Sequence, residues 1–175
     1  MNKRIRGFFY FAITIAILVA ALKFINYLPM LIQPDTMRRY RSIEEVKSAL
    51  NIKDIHVPSY FPQGLMWPPS GILAQNKPFT AIILEFNNTG TKDIALIISQ
   101  SASATFRPDE KIRMQRIKEK VGYPLKGRDM ILEAGVCASE EPCSRVKWTE
   151  GRYTITVTAK SEPPALMKIA ESMIH

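Results

Sequence analysis

The sequence predicts an α+β fold: an antiparallel sheet of about five strands with helices packed on one face, preceded by an N-terminal transmembrane helix. Three observations carry this expectation. Apolar, β-branched runs of strand length recur after residue 78, separated by turn-forming residues. Two other stretches, at 43–50 and at the C-terminus, repeat apolar residues at helical spacing. The first 33 residues contain Lys3, Arg4, Arg6 and Lys23, no acidic residue, and a long apolar run.

That run sets the expected domain organisation. "MNKRIR" is a basic leader, and "GFFYFAITIAILVAAL" follows without a charge before Lys23 and "FINYLPMLI". A spanning helix needs about 20 apolar residues, and residues 7–32 reach that length if Lys23 extends its ammonium to the far interface. Residues 1–33 are therefore expected to be a membrane anchor, 34–41 ("PDTMRRYR") a juxtamembrane linker and 42–175 an extracytoplasmic domain. The rival reading is a secretory signal cleaved after Ala21, whose product would begin with the apolar "LKFINYLPMLI". The leader places the N-terminus in the cytoplasm in a single-pass arrangement, although Arg38, Arg39 and Arg41 nearly balance the charge count across the segment. Both readings export the rest of the chain.

The charge says little about nucleic acid, whose binding export disfavours. The chain carries 24 Lys and Arg against 16 Asp and Glu, a net +8. Four of those bases lie in the first 33 residues, so half of the excess belongs to the topology signal.

The elements follow in order. "SIEEVKSALNI" pairs Ser42 with Glu45, the capping-box spacing, and sets Ile43, Val46 and Leu50 on one face of a helix over 43–50. "IHVPSYFPQGLMWPPSG" has four prolines between Pro58 and Pro69, which exclude a helix and a central strand. "FTAIILEF" and "DIALIISQS" flank "NNTGTK" as a hairpin of central strands. "FRPDEKIRMQRIKEKVG" is read as a helix, with Met114, Ile117 and Val121 on one face and Gly122 as its stop, although "KIRMQRIK" also partly alternates. "PLKGRDMILEAGV" holds a strand, and "RVKWTEGRYTITVTAK" a tight hairpin through Glu150-Gly151 whose second arm is half-exposed. "SEPPALMKIAESMIH" is a closing helix with Ser161 as N-cap and Leu166, Ile169, Ala170 and Met173 inward.

The pieces "VPSYFPQGL", "VKW" before a Tyr-bearing strand, and "KIAESMI" resemble an uncharacterised bacterial extracytoplasmic domain, of the type found in membrane-anchored, anti-sigma-factor-like proteins. The resemblance spans roughly residues 57–175. It implies placement outside the membrane and an accessory or sensory role, with no catalytic residues to carry over.

Cys137 and Cys143 admit three readings. A zinc site needs about four ligands, and the only histidines are His56 and His175. A redox pair needs a C-x-x-C opening a helix, whereas Glu140, Glu141 and Pro142 stand between these cysteines, and the acidic neighbours raise a thiol pKa. A disulfide, allowed in an exported domain, is the expected state. No G-x-S-x-G, H-E-x-x-H, P-loop or Rossmann fingerprint occurs, so no catalytic residue, metal or cofactor is expected.

Two surfaces remain. Tyr60, Phe61, Met66 and Trp67 crowd the proline-rich loop as a candidate partner surface anchored by Trp67; the preferred reading is that Phe61, Leu65 and Trp67 cap an open end of the core. Arg107, Lys111, Arg113, Arg116, Lys118 and Lys120 form a basic run, read first as a solvated helix face and second as a contact for anionic head groups or an acidic partner. The expected function is a membrane-anchored, non-catalytic domain that binds an envelope protein or senses the envelope. The alternative is a carrier or sensor of a lipid or other apolar molecule, held between sheet and helix.

Overall fold

The computed structural model describes residues 13–23, 37–108 and 111–174. The chain divides into two units, Met1–Thr36 and Met37–His175. In the first, residues 13–23 form a helix, α1, with exposed side chains. At 1.5 Å per residue it extends about 16 Å, roughly half of a ~30 Å hydrocarbon layer. No helix among the described residues is long and apolar enough to cross a membrane. The expected transmembrane helix is corrected accordingly: the described turns end at Lys23, and the remainder of the 1–33 segment lies outside the described residues.

The second unit is built on one antiparallel sheet of eight strands, not five. In chain order its elements are β1 (Arg38–Tyr40), α2 (Ile43–Leu50), β2 (Gly71–Gln75), β3 (Ala81–Asn87), β4 (Ile94–Ser101), β5 (Met114–Leu125), β6 (Arg128–Cys137), β7 (Pro142–Glu150), β8 (Tyr153–Ala159) and α3 (Pro163–Glu171). The spatial order is β1-β2-β3-β4-β8-β7-β6-β5. Strands β3, β4, β6, β7 and β8 lie on the five segments expected to hold them. The additional three each evaded a pattern test. β1 falls inside the expected linker because three residues, two of them arginines, show no period; it pairs with β2 through Arg39↔Leu73. β2 has five residues, of which only Leu73 is not fully buried, and offers no alternation to detect.

β5 overturns the helix expected over 106–122. Its register explains the error: Met114 faces Cys137 and Ile117 faces Gly135, with an irregularity between Met114 and Arg116. The extra residue of such a bulge puts two side chains three apart on the same side of a strand, so the spacing imitates a helix. Gly135 makes the close approach possible. A Cβ there would collide with the Arg116 carbonyl oxygen and lie 3.1 Å from the Ile117 Cα.

Both helices pack on one face of the sheet. Ile43 and Val46 of α2, with Leu166 and Ile169 of α3, join Ile82, Leu84, Phe86, Ile98, Ile155 and Val157 in a continuous core. Ser42 caps α2, its Oγ accepting from the Glu45 N–H at 3.1 Å. The Glu45 carboxylate accepts from the Arg41 N–H at 2.7 Å, one residue before the position that a reciprocal box requires. The N-cap of α3 is Glu162, without a side-chain cap, not Ser161; Pro163 and Pro164 fill its first turn.

The opposite face carries a smaller cluster of Ile83, Ile97, Ile112, Cys137 and Cys143, against which Phe106 and Met114 pack. It exists because the connection from β4 to β5 must pass β8, β7 and β6 to reach the far edge. That crossing covers the back of β3 and β4, which are buried on both faces as a result.

Candidate functional site

The proline-rich segment between α2 and β2 is tied down along its length. The Met66 N–H donates to the Asn87 carbonyl at 2.8 Å, the Ser70 N–H to the Glu85 carbonyl at 2.8 Å, and the Thr89 N–H to the Gly64 carbonyl at 2.8 Å. Its start is held by the Gln100 side chain, whose Oε1 accepts from the His56 N–H at 3.0 Å. Ser59 Oγ and the Tyr60 N–H bond to Ser172 just past α3. A loop fixed at both neighbours presents side chains with little ordering cost on binding.

What it presents is an aromatic shelf. Phe86 of β3, 0% exposed, forms the base. The Phe61 ring lies 5.3 Å from Phe86 and 5.1 Å from Trp67, and the Trp67 ring lies 6.2 Å from Phe86 at an interplanar angle of 21°. Phe61 and Leu65 are half-buried against the core. Trp67, 56% exposed, turns its outer side to solvent, flanked in sequence by exposed Met66 and accompanied by exposed Tyr60. The four residues of the sequence motif thus divide: Phe61 packs against the core, while Tyr60, Met66 and Trp67 are each exposed.

The basic run does not form one face. Lys111 is spent on Glu85, its Nζ 2.8 and 2.9 Å from the two carboxylate oxygens. Glu85, 4% exposed, sits in the apolar β3 run, and only a charge partner makes that placement tolerable. Gly71 leaves room for it, since a Cβ would collide with Glu85 Oε2. Nothing in "FTAIILEF" announces that role beyond the single acid. Arg107 lies in the crossing segment, Arg113 just before β5, and Arg116, Lys118 and Lys120 on β5. Lys120 pairs with Glu133 at 3.0 Å, and Glu133 also meets Arg145 at 3.6 Å.

Cys137 and Cys143 form a disulfide with Cα atoms 5.1 Å apart. It clips the β6–β7 hairpin beneath the turn at 138–141 and is itself buried beside Ile112. In that turn the Glu141 carboxyl is held below the usual carboxylate range, first by the Ser139 hydroxyl and then by Lys160. Among the described residues no cluster of His, Cys, Asp or Glu could hold a metal ion. Two polar hollows mark the crossing-segment side of the sheet, one of about 450 Å³ beside Arg39, Glu85 and Lys111, the other of about 270 Å³ between Phe106, Ile112, Glu133 and Arg145. The space between sheet and helices, by contrast, is filled by the side chains of the main core.

No protein-family model, curated protein or solved structure matches this chain.

Proposed function

We propose that the protein is a non-catalytic binding domain of the cell envelope, and that the Tyr60–Met66–Trp67 shelf is its contact for a protein partner. The carrying observation is an indole more than half exposed yet held between a hydrogen-bonded loop and a buried phenylalanine. A rigid aromatic of this kind is the residue type on which interface energy concentrates. Placement outside the cytoplasm draws on the disulfide, since such bonds persist in oxidising compartments, and on the resemblance to extracytoplasmic domains. A filled sheet–helix interior favours the protein partner over an apolar cargo held there.

Trp67→Ala tests the proposal. The exposed half of the ring contributes little to folding, so the variant should lose less than about 1.5 kcal/mol of stability. Cross-linked capture from envelope extract should lose the proteins that the wild-type chain retains. An unchanged capture profile would overturn the shelf as the contact.

A further inference from the structure

The face of the sheet away from both helices carries the hollow of about 270 Å³, which has no part in the reading above. Its sheet side is set by register, since residues directly opposite in an antiparallel pair share a face. One cross-strand row runs Thr158, Arg145, Glu133 and Lys120, over β8, β7, β6 and β5. The next row runs from Lys147 through Ile131 and ends at Gly122, where an added Cβ would meet nothing within 4 Å. That end of the row is open. The other side of the hollow is the crossing segment, with Phe106, Arg107 and Ile112.

The crossing segment is fastened over the sheet at three points. Phe106 stands edge-on to Phe79 with ring centroids 5.6 Å apart, Lys111 bonds Glu85, and the Arg113 carbonyl accepts from the Ala138 N–H at 2.9 Å. The space is therefore preformed, as ligand sites usually are. Its volume falls just under the ~300 Å³ at which such sites begin, so its occupant is small.

The chemistry of the lining divides in two. Ile97, Ile112 and Phe106 give an apolar floor, and Ile131, 43% exposed, adds an apolar wall. Against these the lining sets four bases, Arg107, Lys120, Arg145 and Lys147, and a single acid, Glu133. That acid is shared: its carboxylate lies 3.0 Å from Lys120 Nζ and 3.6 Å from the Arg145 guanidinium. Arg145 is held in place, since its Nε also donates to the Thr158 hydroxyl at 3.4 Å. Arg107 and Lys147 make no ion pair among the described residues; Asp109 and Glu110 lie outside them. One carboxylate cannot neutralise four bases, and a recess lined by one sign of charge draws the opposite one.

We propose that this hollow binds a small organic anion, a phosphate or carboxylate carrying a compact apolar group. The anionic end meets Lys147, Arg107 and Arg145, and the apolar end lies against Ile131 and Phe106. The site is separate from the shelf and does not depend on it.

The test is calorimetric titration of the full chain with phenyl phosphate, inorganic phosphate and benzylamine. Phenyl phosphate should bind saturably, more weakly as salt rises. Inorganic phosphate, which keeps the charge and loses the apolar contact, should bind about tenfold or more weakly. Benzylamine, which keeps the ring and reverses the charge, should not bind. Lys147→Glu should weaken phenyl phosphate by about tenfold or more, and Ile131→Gln should narrow its advantage over inorganic phosphate. Both side chains are exposed, so the unliganded variants should melt as the wild-type chain does. Lys47→Glu, on α2 across the sheet, makes the same change of charge and should leave binding unaltered, as should Trp67→Ala. No saturable binding of phenyl phosphate would overturn the site. So would equal binding of inorganic phosphate or of benzylamine, or equal losses from Lys47→Glu and Lys147→Glu, the sign of a diffuse charge effect.

Discussion

Strands β3 and β5 belong to the same sheet and face opposite physical demands. β3 has neighbours on both edges and cover on both faces, the main core on one and the crossing segment on the other. Its sequence is accordingly a continuous apolar run, and its one acid, Glu85, is tolerable because Lys111 arrives from the crossing segment. β5 has one neighbour and almost no cover, so its sequence is charged and its apolar residues remain at the surface. A buried strand is specified by what it excludes. An edge strand is specified by its partner, here by Gly135 and the register of β6.

The largest effect should come from emptying the base of the buried side. Phe86→Ala removes a fully buried ring that supports both Phe61 and Trp67. It should cost about 3–5 kcal/mol in urea unfolding, against within about 0.5 kcal/mol for Val121→Ala on β5. Similar losses from the two would erase the contrast. Replacing Cys137 and Cys143 together by alanine should cost about 2 kcal/mol on the loop-entropy estimate for so short a clip. The intact protein should show no thiol reactivity without reductant; reactive thiols in material from an oxidising compartment would contradict the staple.

The smallest effect concerns pH. Glu141 has its folded pKa lowered by Ser139 and Lys160. A lowered carboxyl contributes stability that is fully present above its unfolded pKa and is lost as pH falls through the folded value. Glu141→Gln should therefore reduce stability slightly at neutral pH and flatten the acid side of the curve. As an exposed group screened by solvent, it should leave the overall melting behaviour little changed.

Legibility in the sequence followed the same contrast. The β3–β4 hairpin could be read because burial on both faces writes itself as apolar runs between turn residues. The helix at 43–50 could be read because Ser42 and Glu45 are local signals, and the staple because exclusion of metal and redox chemistry left one reading. β5 was concealed by its bulges, which convert a two-residue period into a three-residue one at Met114 and Ile117. β1 and β2 were too short to show a period. The aromatic loop was legible as a cluster, but not the division between Phe61 inside and Trp67 outside, since that depends on Phe86 and on bonds to Asn87 and Glu85 from a different element.

The strand order has one more consequence, for the course of folding. Every ladder joins strands consecutive in sequence except the one between β4 and β8, which runs from Leu96↔Ala159 to Ser101↔Thr154. The sheet is thus two four-strand meanders joined at a single seam. Each meander can zip from its own turns, but the seam must close a long stretch of chain before it gains a contact, and the entropy of that closure comes first. Until it closes, β4 and β8, the most apolar edges in the molecule, face water together. The crossing segment that later latches onto Glu85 is then still a tether between two half-sheets.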